Sequence, residues 1–100
     1  MIHGLLDATQ VISTTEIEGA PYEVCAEVQA SHDRRSHLLT VTLNAFVRAL
    51  DQKHLAETAT PDWLPPTETV HEYIEPEEAH DMASDIFASW CHRVAMKVPE

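Results

Sequence analysis

The stretch Tyr22-Glu23-Val24-Cys25-Ala26-Glu27-Val28-Gln29-Ala30 decides the fold. Tyr22, Val24, Ala26, Val28 and Ala30 alternate with Glu23, Cys25, Glu27 and Gln29. A period of two predicts a β-strand with one buried face. Upstream, residues 9–18 are rich in Val, Ile and Thr, which suit a pleated, half-buried surface. Gly19-Ala20-Pro21 supplies turn residues between the two runs. The expected unit is an antiparallel β-hairpin with Val11 and Ile17 on its buried face. Glu16, Glu18, Glu23 and Glu27 then face outward.

Downstream, Leu39, Leu43, Phe46, Val47 and Leu50 recur at three- and four-residue spacing, so residues 36–56 read as a central helix. Thr40-Val41-Thr42 also suits a third strand, which would turn the hairpin into a three-stranded meander. Residues 57–76 carry Pro61, Pro65, Pro66 and Pro76, which rules out a long helix there. Trp63, Leu64, Val70, Tyr73 and Ile74 anchor that segment, with residues 67–74 as a helical turn or a short strand. From Pro76 onward, Ala79, Met82, Ala83, Ile86, Phe87, Trp90, Val94 and Val98 form an apolar stripe. Glu77 and Glu78 at the start and Arg93 and Lys97 near the end complement the helix dipole. A long C-terminal amphipathic helix follows. The whole is expected to be one α+β domain over residues 1–100.

Charge bounds the function. Six Lys and Arg against 17 Asp and Glu give a net charge of −11 with His neutral. Such a surface is repelled by phosphate backbones and anionic membranes, so direct nucleic-acid or membrane binding is not expected. Hydrophobic residues at 44% argue against a disordered tail. The first twelve residues carry Asp7 and no Lys or Arg, unlike a signal peptide. Two cysteines make no disulfide framework, so the expected location is the cytoplasm. Acids cluster: nine lie between Glu57 and Asp85 with no Lys or Arg among them.

The sharper reading of that acidity is a protein-interaction module of inhibitor, immunity or phosphate-mimic type that docks a basic partner protein. Its contact residues would be Glu16, Glu18, Glu23, Glu27, Glu72, Glu75, Glu78, Asp81 and Asp85, with Trp63. The plainer reading is an acidic coat that keeps the protein soluble. A thin architecture also leaves apolar surface to cover, so a homodimer is expected, with Trp63-Leu64 as its contact.

Two Glu-x-x-His patterns, Glu68…His71 and Glu77…His80, have the spacing of helical metal ligands. With 11 Glu and 7 His in the chain, chance supplies about one such match, so these four are weak metal candidates, and no cofactor is expected. A small metal-binding or enzymatic protein using His71 and His80 is the remaining class. No nucleophile is nominated: Glu23 and Glu27 should raise the Cys25 thiol, and Cys91 borders the last helix's stripe. His32-Asp33-Arg34-Arg35-Ser36-His37 reads either as an anion-binding loop before a helix or as arginines paired with the protein's own carboxylates.

Overall fold

The computed structural model describes residues 2–50 and 61–99. Four antiparallel strands, β1 (Ile2–Ile17), β2 (Ala20–Asp33), β3 (Leu38–Ala49) and β4 (Glu68–Tyr73), form one sheet, and a helix, α1 (Pro76–Lys97), follows. Strand order is β1-β2-β3-β4, so every strand pairs with its chain neighbour. The result is an α+β fold built on a β-meander. Its long axis of 50 Å matches the about 3.3 Å rise of a strand as long as β1.

The hairpin forms one residue earlier than the sequence suggests. Ile17 pairs with Ala20, leaving Glu18 and Gly19 as a two-residue turn with φ of 53° and 81°. Positive φ at both positions gives the turn the twist of its flanking strands, and Gly19 meets it without steric cost. Alternation along β2 holds: Tyr22, Val24, Ala26, Val28 and Ala30 are buried, the last four in one core with α1. Cys25, on the opposite face, is also fully buried, between Val11 and Phe46 in the neighbouring strands. Ile17 shares the register of the helix-facing side, but Val11 does not. Val11 pairs with Cys25 and is 47% exposed, ahead of an irregularity in β1 between Val11 and Ser13.

The expected central helix is a strand. Leu39, Val41 and Leu43 are fully buried on one side of β3, and Leu38, Thr40 and Thr42 alternate on the other. Leu39, Leu43 and Val47 are spaced by four, which satisfies period two as well as a helical face. The tie is broken by β2, whose second edge needs a hydrogen-bonding neighbour; β3 supplies it along twelve register pairs, from Tyr22–Ala49 to Asp33–Leu38. The last part of that expected helix, residues 51–56 with Lys53, lies outside the described residues, as does Glu57. Burial of Leu39, Leu43, Val24, Val28 and Val41 contributes about 1.5–3 kcal/mol each relative to exposure.

α1 begins at Pro76, with Glu77 and Glu78 in its first turn and Lys97 in its last. Ala79, Ala83, Trp90 and Val94 are its fully buried residues, and Met82, Ile86, Phe87 and Val98 pack beside them. Trp90 Nε1 donates to the Asn44 carbonyl at 2.8 Å, so the largest buried side chain also satisfies its one polar atom. The junction before α1 is clasped by the β2–β3 turn. Buried His32 donates Nε2–H to the Ile74 carbonyl at 2.8 Å, and Ile74 N–H donates to the His37 carbonyl at 2.8 Å. No helix among the described residues is long and apolar enough to cross a membrane.

Candidate interaction surface

Strand register sorts the acids into two groups with different local chemistry. Glu16, Glu23 and Glu27 share the sheet face turned away from α1, and exposed Glu18 sits in the hairpin turn. Two of these carboxylates are already engaged. Arg48, directly across from Glu23 on β3, donates Nη2 and Nε to Glu23 Oε2 at 2.6 and 3.0 Å. Asn44, across from Glu27, donates Nδ2 to Glu27 Oε1 at 3.2 Å and accepts from Thr67 Oγ1 at 2.7 Å. Like charges along a strand repel, and the cross-strand partners on β3 offset that repulsion within the chain.

The second group surrounds a groove. α1 packs mainly on β1, β2 and β3 and leaves the same face of β4 only partly covered, with Val70 half-buried and Glu72 exposed. Val70, Ile74, Met82 and Ile86 form the floor of a groove of about 640 Å³, and Glu72, Glu78 and Asp85 stand around it. Among the described residues, no Lys or Arg lines it. Asp81 is exposed on α1, three and four positions from Glu78 and Asp85 and so adjacent on the helix surface. Glu75 lies at the N-terminal end of α1, its Oε1 3.4 Å from His37 Nδ1.

The groove ends at an ion pair. Arg93 donates Nη1 and Nη2 to Glu68 Oε1 and Oε2 at 3.0 and 2.8 Å, and its guanidinium lies 4.9 Å from the Trp90 ring centroid. The Arg93 guanidinium holds the Glu68 carboxyl below the usual Glu range. Beyond this bridge, half-buried Trp63 lines a separate cavity with Pro65, Pro66, Met96 and Lys97. Trp63 therefore lies outside the groove of Glu72, Glu78 and Asp85, with Asp62 and Glu68 lining its own cavity, and Leu64 is buried in the core.

The metal candidates do not assemble. Glu68 and His71 are three apart on a strand and fall on opposite faces: Glu68 reaches Arg93, and His71 Nδ1 lies 3.4 Å from Thr40 Oγ1. Glu77 and His80 are exposed on α1, and no three His, Cys, Asp or Glu converge among the described residues. Burial, ahead of any charge, pushes the Cys25 thiol up, with Glu23 adding to the rise and Arg48 opposing it; burial raises Cys91 too. The Arg34-Arg35 loop precedes a strand, so no helix N-terminus follows it. Arg35 N–H caps Asp33 Oδ1 at 2.9 Å and depresses the Asp33 carboxyl, while neither guanidinium enters an ion pair among the described residues.

The groove is the feature that sequence reading missed. Its acids stand out in the chain, but its apolar floor combines Val70 of β4 and Ile74 just after it with Met82 and Ile86 of α1, which otherwise read as core. No protein-family model matches the chain, and no curated protein or solved structure matches it.

Proposed function

We propose that this protein is a small acidic interaction module that docks a basic partner protein. The observation that supports it is the groove between β4 and α1, where Glu72, Glu78 and Asp85 stand over an apolar floor with no cation among them. Apolar contact supplies affinity at such a site, and the carboxylates steer a basic partner and exclude acidic ones. The hairpin acids add long-range attraction, with Glu16 and Glu18 as its exposed members.

The test is retention from native lysate, washed in parallel at low salt and at about half-molar salt, where the Debye length falls to roughly 4 Å. The reading expects a basic protein held at low salt and released at high salt, and the purified pair to show the same dependence in titration. Bait alone under both washes overturns it.

A second reading, a two-fold homodimer, has its own support: Val11, 47% exposed, lies on the sheet face that α1 does not cover. Sedimentation equilibrium at micromolar concentration decides it, a monomer mass excluding the dimer.

A further inference from the structure

A four-stranded sheet spans about 14 Å between its outer strand axes, and one helix with its side chains is about 10 Å across. A single helix on β1–β3 therefore leaves a lane over β4, in the layer where a second helix would pack. The flank of α1 facing that lane carries the ridge Glu78, Met82 and Ile86, at i, i+4 and i+8, with Asp85 and Ser89 beside it. Ridges of this spacing are what a neighbouring helix interdigitates with at an 8–10 Å interaxial distance. Beneath the lane lie Val70 and Glu72 of β4 and Ile74 just after it. From Glu78 to Ser89 the lane is about 16 Å long at 1.5 Å per residue, or three helical turns. The Glu68–Arg93 bridge closes its far end.

We infer that this lane receives an amphipathic helix of a partner protein, about three turns long, with an apolar stripe and Lys or Arg on its flanks. The stripe rests on Val70, Ile74, Met82 and Ile86, and the cations face Glu72, Glu78 and Asp85. Charge complementarity selects this occupant: a second copy of the chain would bring further carboxylates to a rim that already repels them. The inference rests on the acidic-docking reading and adds the site, the shape of the partner element and its polarity.

The probe is a dye-labelled Leu/Lys peptide of about 14 residues with Leu at helical i, i+3, i+4 spacing, compared with a scrambled peptide of the same composition. Fluorescence anisotropy measures affinity at low and high salt, and circular dichroism follows peptide helicity and the folding of each variant. The patterned peptide should bind at least about tenfold more tightly than the scrambled one and gain helix on binding. Ile86→Asp should weaken it by about tenfold or more. Ser89→Trp, which obstructs the lane from an exposed position, should do the same if Ile86→Asp fails to fold. Glu78→Lys with Asp85→Lys should weaken binding and flatten its salt dependence. Glu16→Lys with Glu18→Lys should change it by less than about threefold, since those residues lie away from the lane.

Equal binding of both peptides, or indifference to Ile86→Asp and Ser89→Trp, overturns the lane as the site. If binding is then lost in Glu16→Lys with Glu18→Lys, acidic docking stands at the hairpin and only the lane falls. If neither peptide binds with any salt dependence, both readings fall.

Discussion

Glu23 and Glu27 on the sheet and Glu78 and Asp85 on the helix are similar acids at similar density, yet the fold treats them differently. On β2, each carboxylate faces a β3 residue at fixed register, and that residue is Arg48 in one case and Asn44 in the other. On α1, side chains fan outward, and the strand they overlook contributes another acid, Glu72. At these two β2 positions the sheet supplies each carboxylate with a hydrogen-bond donor, whereas the rim of the groove gathers acids from α1 and β4. Acidity in the sequence thus becomes structure on one face and available potential on the other.

The largest test of this contrast removes the side chain that seats α1. Trp90→Ala leaves a cavity and an Asn44 carbonyl without its donor, and should cost about 3–5 kcal/mol in urea denaturation. The groove depends on that seating, so binding at the lane should fall with it. Asn44→Ala should cost about 1–2 kcal/mol, because Glu27 and Thr67 each lose a partner. Arg48→Ala should lower the urea midpoint without changing the slope, a loss restored in part by adding Glu23→Gln.

An acid titration sharpens the comparison further. Glu68 is held below its ordinary pKa by Arg93, so its contribution is complete above the unfolded Glu value of about 4.3. That contribution is lost as pH falls through the lower folded value. Arg93→Ala should flatten stability against pH in this acid range, as read by urea midpoints. The smallest expected effect is at the groove: Glu78→Gln with Asp85→Asn should leave stability within about 0.5 kcal/mol of the parent, or raise it slightly. A loss comparable to that of Asn44→Ala would mean these acids hold the fold together, and the contrast with the sheet would fail.

The hairpin was legible because alternation in residues 22–30 satisfies only one geometry, and α1 because Pro76 and its acids mark a start. The third strand was legible only as the alternative to a central helix. Leu39, Leu43 and Val47 fit both periods, and the deciding partner, the open edge of β2, is a tertiary fact. Among the site residues, the acids were visible as a list, but their division into paired and available sets depends on register across β3. The floor of the groove was hidden for a related reason: Met82 and Ile86 belong to the same stripe as Ala83 and Trp90, and nothing local says which members β3 will cover. Trp63 was grouped with the acids because it lies in the proline-rich segment of a thin fold, and it lines a different cavity from Glu72, Glu78 and Asp85.

Because each strand pairs with its chain neighbour, the sheet can zip progressively as the chain leaves the ribosome. The element that dries it comes last. Val24, Val28, Val41 and Leu43 stay wet until α1 has emerged and Trp90 and Val94 can close over them. A sheet paired before α1 docks would carry a bare apolar face, and the acidic residues of its first two strands would keep such chains apart by repulsion.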